Sequence, residues 1–327
     1  MTFTLPEHWV WDFWVVRDGP TFHLFYLHAP RSLGEESLRH RNARVGHATS
    51  PDLSTWTDHG VVLRPGAAGS PDGTATWTGS VAAAPGGGWQ LFYTGSRFLD
   101  PVRHVNVQTL LAAVSDDLHA FDKRDGFALA ADPRWYETFR DGTWHEEAWR
   151  DPWVFADSDG DGWHMLVTAR AKGDGDRDRG VIGHAWSADQ REWEVRPPLS
   201  EPGAGFAHLE VPQIARIDGR DVLLFCCDAA HLAGARDGQE GGVWAVETPS
   251  ALGPYPVRDA YRLTGDDRYA GRAVQDAAGD WHLLAFANRI VDGVFEGFLH
   301  DPLSLAWDES GRLRAGSGAP DAPRRLH

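Results

Sequence analysis

The chain has 327 residues, 42% of them apolar, and a formal net charge of −16 from 47 acidic against 31 basic side chains. That length supports one large core or two ordinary domains. An acidic surface repels phosphate backbones and anionic lipid, which argues against nucleic acid and membrane as partners, and no apolar run approaches the roughly 18 residues of a membrane span.

The opening residues, "MTFTLPEHWV", lack the basic and apolar regions of a secretion signal. The two cysteines, Cys226 and Cys227, are adjacent within the apolar run "DVLLFCCD" and read as small core residues. Together these predict a reducing, cytoplasmic setting.

Taken in chain order, a short β-rich run after a turn recurs five times. It appears as "FHLFYLHAP" from Phe22, "WQLFYTGSR" from Trp89, "WHMLVTARAK" from Trp163, "DVLLFCCDAA" from Asp221 and "WHLLAFANRI" from Trp281. Most copies follow a glycine or an Asp-Gly pair, a hairpin signal. Phe25, Phe92, Met165, Leu224 and Leu284 are equivalent anchors, spaced by roughly 60 to 70 residues. A second strand and a turn follow each run: "VGHATSPDLSTWTDHG" from Val45, "LAAVSDDLHAFDKRDG" from Leu111, "IGHAWSADQREWEVRPP" from Ile182, and two decayed copies beyond.

Helical periodicity is weak, and 36 glycines and 20 prolines leave little room for long helices. Five all-β units of this size predict a five-bladed β-propeller around a central channel. A β-sandwich would not explain five copies of one pattern. The propeller is expected over residues 1–310, with 311–327, "GRLRAGSGAPDAPRRLH", as a loose polar tail.

The strand before each anchor should be the innermost of its blade. Twelve to fourteen residues before the anchors stand Asp12, Ser80, Asp151, Glu210 and Arg272. Inner strands converge on the propeller axis, so three of five blades are expected to deliver a carboxylate to one mouth of the channel, beside Arg150 and several tryptophans. Like charges crowded into a pocket push pKa values apart. Paired carboxylates with no metal suit glycosyl transfer, in which one acts at the anomeric carbon and another protonates the leaving oxygen. That chemistry needs no cofactor and no metal ion; its partner is a small carbohydrate.

Other motifs carry less. "DSDGDG" from Asp157 opens like a calcium loop but lacks the closing glutamate, and reads as a hairpin turn. "HEEAWRDP" has no second histidine at zinc spacing, and the 16 histidines are scattered. No G-x-S-x-G elbow and no phosphate-cradling glycine loop is present.

"VWDFW", "TWTGS", "WRDPWVF" and "LEVPQI", in this order, resemble the motifs of the β-fructosidase superfamily, glycoside hydrolase families 32 and 68. "VGHATSPDLSTW" and "YAGRAVQDAAGDWHLLAFAN" are similar to its first-blade turn and fifth-blade start. The resemblance covers nearly the whole chain. It implies Asp12 as nucleophile, Asp151 as the transition-state stabiliser that binds ring hydroxyls, and Glu210 as acid/base. Trp11, Trp77, Ser80 and Arg150 would shape the sugar pocket, with Arg272 flanking the acids. Phe13 and Trp14 after Asp12 stand closer to the family 68 pattern than to the Asn-Asp-Pro of family 32, and Val211 stands where family 32 commonly has cysteine.

The expected reaction is retaining double displacement on a β-D-fructofuranoside. Family 43, with the same fold and three acids, implies instead an inverting arabinosidase or xylosidase. A propeller that binds sugar without cleaving it, or one recruited to a different reaction on a metabolite, is the third reading. Carboxyl separation divides the first two, at about 5–5.5 Å for retention and 6.5–9.5 Å for inversion.

Overall fold

A computed structural model describes residues 3–316 except 101, 159, 161, 175, 176, 289, 292 and 293. Five four-stranded antiparallel meanders make up the chain. Blade one holds β1 (His8–Asp18), β2 (Thr21–Pro30), β3 (Arg44–Ser50) and β4 (Thr57–Leu63). Blade two holds β5 (Ala75–Ala83), β6 (Trp89–Phe98), β7 (Asn106–Ser115) and β8 (Asp122–Lys123). Blade three holds β9 (Trp149–Ala156), β10 (Trp163–Arg170), β11 (Gly180–Ser187) and β12 (Glu194–Arg196). Blade four holds β13 (Glu210–Ile217), β14 (Arg220–Cys227), β15 (Gly242–Glu247) and β16 (Tyr261–Arg262). Blade five starts with β17 (Arg268–Gln275) and β18 (Trp281–Ala287), then a small β19 (Ile290–Val291)–β20 (Val294–Phe295) hairpin, and ends with β21 (Leu303–Trp307) and β22 (Leu313–Ala315). This is the five-bladed propeller that the repeats predict. Leu313–Ala315, read from sequence as the start of a tail, form the outer strand of blade five, while 317–327 lie outside the described residues. Among the described residues no helix is long and apolar enough to cross a membrane.

Local chemistry explains the repeat. The β13–β14 hairpin turns on Asp218-Gly219, both with left-handed φ (50° and 83°), as the tightest two-residue loops require. The recurring Ser-x-Asp-x turn is a capped loop. In blade one Asp52 accepts the backbone N–H groups of Ser54 and Thr55, and Leu53 sits at φ 62°. Asp117 does the same for His119 and Ala120, and Asp189 for Arg191 and Glu192, with Leu118 and Gln190 left-handed. One aspartate thus satisfies the donors of a turn that joins the third and fourth strands.

Aromatic rings pack both within and between blades, as where Phe25 of blade one meets Phe121 of blade two and Phe92 of blade two meets Trp193 of blade three. Trp14 is fully buried and stacks on Phe25, with ring centroids 5.9 Å apart; truncating such a ring to alanine costs about 3–5 kcal/mol. Cys226 and Cys227 are free and buried, and as neighbours on one strand they face opposite sides. The ring is closed by the N-terminal segment. Phe3 bridges Leu299 of blade five, Leu299 N–H donates to Phe3 O at 2.9 Å, and Arg17 of β1 reaches the Asp276 carbonyl. The 157–162 segment is the β9–β10 hairpin turn, closed by Asp157 N–H to Gly162 O, with 159 and 161 outside the described residues.

Candidate active site

Each innermost strand carries an irregularity near its start: Val10/Phe13 in β1, Trp77/Gly79 in β5, Gln213/Glu210 in β13 and Tyr269/Arg272 in β17, with the shift in β9 falling at Asp151-Pro152. Bulges bend a strand and re-aim its side chains. Asp151, Val211 and Ala270 take left-handed φ values of 60°, 52° and 50° there, a conformation rarely adopted by residues with side chains. The irregular segments face one axial cavity of about 370 Å³, toward the small end of the ligand-site range.

Asp12, Asp151, Glu210, Trp11, Trp77 and Arg150 all line this cavity. Ser80 and Arg272 do not, and strand pairing gives the reason. The anchors Phe25, Phe92, Met165, Leu224 and Leu284 pair with Trp14, Ser80, Val154, Gln213 and Arg272. The cavity residues sit two or three positions closer to the strand start. At about 3.3 Å per residue, Ser80 and Arg272 therefore lie roughly 7–10 Å deeper in the channel. Ser80 Oγ accepts the Val154 N–H at 3.0 Å, which ties blade two to blade three. Arg272 is buried and donates to the carbonyls of Phe13, Val211 and Pro212, locking blade five to blades one and four. It lines a second cavity, at the other end of the channel, with Arg17, Trp153 and Gln213.

The same register assigns blades two and five their cavity residues, Thr78 and Tyr269, which sequence reasoning passed over. Thr78 Oγ1 donates to Asp12 Oδ2 at 2.7 Å, and Tyr269 OH donates to Glu210 Oε2 at 2.5 Å. Trp77 is held by its indole N–H, which donates to the His40 carbonyl at 2.8 Å.

Arg150 organises the acids. Its Nη2 donates to Glu210 Oε1 at 2.5 Å, its Nη1 donates to Glu146 Oε1 at 3.0 Å and Gln108 Oε1 at 3.2 Å, and its Nε stands 3.6 Å from Asp151 Oδ2. Burial pulls the guanidinium's pKa down, but Glu146, Glu210 and Asp151 outweigh it and hold the cation firmly charged. Burial likewise pushes Glu146 up, and Arg150 with the Asn106 amide brings it below the ordinary range. Glu146 is a third residue the sequence did not single out, although it stands four positions before Arg150 in "HEEAWRDP".

Asp151 is oriented through one oxygen. Oδ2 accepts from Thr168 Oγ1 at 2.8 Å and from Val211 N–H at 3.1 Å, while its own N–H donates to Thr94. Burial raises its pKa, and Glu210's charge adds to that against the pull of Arg150. Asp12 is raised to about 7, first by burial and then by the charge of Asp151, with the Thr78 hydroxyl acting in the other direction. A carboxyl poised near neutrality beside two others is the arrangement that acid–base and nucleophilic chemistry needs. At the rim the Asp228 carboxylate bonds His231 Nδ1 at 2.8 Å and raises its pKa, while burial and then Arg150 drive His208 well below its usual value.

An all-β ring of five blades with three converging carboxylates beside an arginine is the build of the propeller enzymes that act on O-glycosyl bonds. The family described as glycosyl hydrolases family 32 N-terminal domain matches residues 13–294, beginning one residue after Asp12 and including Asp151 and Glu210. The chain belongs to glycosyl hydrolase family 32 and is a glycoside hydrolase or glycosyltransferase acting on O-glycosyl bonds.

Solved structures share the fold. The inulosucrase of Halalkalicoccus jeotgali bound to kestose is 23% identical with a TM-score of 0.75, over 98% of this chain and 92% of that one. The levansucrase of Gluconacetobacter diazotrophicus is 17% identical with a TM-score of 0.74, over 95% and 80%. A variant of the Bombyx mori family 32 β-fructofuranosidase in complex with sucrose is 19% identical with a TM-score of 0.74, over 96% and 64%. A sequence search of curated proteins finds no match.

Proposed function

We propose that this enzyme cleaves or transfers the fructosyl unit of a β-D-fructofuranoside, such as sucrose or a fructan, with retention of configuration. The observation that carries the reading is the convergence of Asp12, Asp151 and Glu210, from three blades, on one cavity with Arg150 among them. Roles follow the family resemblance. In the first step an Asp12 oxygen bonds to the anomeric carbon as the glycosidic C–O bond breaks, and Glu210 gives its proton to the departing oxygen. Asp151, with Oδ2 committed to Thr168 and Val211, offers Oδ1 to ring hydroxyls as positive charge develops on the sugar. In the second step water or an acceptor hydroxyl passes its proton to Glu210 and attacks the anomeric carbon, and the ester to Asp12 breaks.

Arg150 and Tyr269 position Glu210 from both of its oxygens, and the Trp77 ring supplies an apolar wall for a sugar face. Incubation with sucrose, a fructan and nitrophenyl arabinoside, with methanol added as acceptor, tests the proposal. Release of fructose with formation of the methyl β-fructofuranoside is the expected result. Inverted product from the arabinoside supports the family 43-like reading instead. No release from any of the three overturns cleavage and favours sugar binding alone.

A further inference from the structure

On the flank of blade one, away from the axial cavity, histidines distant in sequence meet. His47 comes from β3, His59 from β4 and His119 from the turn after β7 of blade two. One ring nitrogen from each lies within 4.8 Å of the others, and the ring centroids of the three pairs are 5.0, 4.8 and 5.2 Å apart. We propose that His47, His59 and His119 form a binding site for a late first-row divalent metal ion, Zn²⁺ by preference, that clasps blade one to blade two.

Three features of the backbone build the site. His47 is buried, and its Nδ1 has no hydrogen-bond partner among the described residues, an uncommon condition for a buried polar atom. His59 is the extra residue of a bulge in β4, since His47 pairs with Gly60 while Ala48 pairs with Asp58; the bulge re-aims its imidazole. His119 is fixed by the capped turn, where its own N–H donates to Asp117 Oδ1 at 2.8 Å beside left-handed Leu118.

The outer hydrogen bonds also fit. Metal-bound imidazoles generally donate their second ring N–H to a neighbour, which fixes the tautomer. His47 Nε2 lies 3.0 Å from His23 Nδ1, and His59 Nε2 lies 2.8 Å from Thr49 Oγ1. With those nitrogens as donors, Nδ1 of both rings keeps its lone pair. Three imidazoles suit zinc, copper or nickel better than calcium or magnesium. Zn–N bonds of about 2.0–2.1 Å require the three rings to close by about an ångström. The His59 and His119 side chains are exposed, which leaves room for a side-chain adjustment of that size.

The test uses the full chain, stripped with chelator and titrated with Zn²⁺ by calorimetry, with bound zinc counted by atomic emission after desalting. One zinc per chain is expected, with a higher unfolding temperature. His59→Gln and His119→Gln should each weaken binding by at least about tenfold and remove the thermal shift, while sucrose turnover without zinc, which also reports folding, stays at the unsubstituted level. Neither residue lines the axial cavity. Failure of the unsubstituted chain to retain zinc, or variants that bind as tightly as it does, would overturn the assignment. Zinc that persists in both variants belongs to other histidines, and that result equally sinks it.

Discussion

Replacing Asp12 with Asn should stabilise the protein while abolishing turnover, and the stability gain should depend on pH in a defined way. Asp12 is walled in by protein, and its pKa rises from an ordinary 3.8 to about 7. At 1.36 kcal/mol per tenfold change in proton affinity, that corresponds to about 4 kcal/mol. Asp12 keeps a partial exposure to the cavity, and water there relieves part of the penalty, so about 2–4 kcal/mol is the working range. The sign follows from proton uptake. Between pH 3.8 and about 7 the folded chain holds this proton and the unfolded chain has lost it. The stabilisation is full below pH 3.8 and is lost as pH rises through 7, above which the folded state carries the whole cost of a buried charge. Asparagine keeps the shape and can accept from Thr78 Oγ1, but never ionises.

Urea unfolding of both proteins at pH 4, 5.5, 7 and 8.5 measures the difference. The variant should be more stable by about 2–4 kcal/mol at pH 8.5, with the gap closing toward pH 4. A gap independent of pH, or a variant less stable at pH 8.5, would refute the placement of Asp12 in a desolvated, like-charged setting. Retained fructosyl turnover would separately remove Asp12 from the mechanism.

Thr78→Val deletes the hydroxyl that donates to Asp12 at 2.7 Å. A hydrogen bond to a charged group contributes about 1.5–3 kcal/mol, so the rising limb of the kcat/KM pH profile should move from near 7 to about 8–9, with activity at pH 7 falling about 5- to 50-fold. An equal loss at every pH would contradict this. Tyr269→Phe removes one of the two donors on Glu210 and should lower kcat by about 10- to 100-fold with little change in the urea midpoint; unchanged turnover in steady-state assays would remove Tyr269 from the site. Arg272→Met leaves three buried carbonyls without their donor and should cost about 3 kcal/mol in denaturant unfolding. Its KM should stay within about twofold, and a tenfold rise would place the guanidinium against the sugar after all.

The propeller was legible because its signal is repeated. Five apolar runs and three near-identical Ser-x-Asp turns each describe a local structure, and local structure is what a sequence displays most directly. The acids were legible for the same reason, as polar side chains in an aromatic strand at a common distance from an anchor. The choice between Ser80 and Thr78, or Arg272 and Tyr269, was not. It depends on bulges that shift the pairing of an inner strand, and a bulge in the first strand is invisible without its partner. Glu146 was hidden in a stretch with no repeat, and its role appears only when Arg150 folds back on it. The histidine cluster was hidden further still, since its members come from two blades and the sequence shows only scattered residues.

Closure of the ring by Phe3 against Leu299 has a consequence for how the enzyme comes into being. Every blade is a contiguous length of chain and can assemble from near neighbours, but the cavity wall draws on all five. The cavity that gathers the three acids therefore has no partial form. Under the proposed mechanism, activity should therefore first appear during refolding when blade five docks against the segment around Phe3.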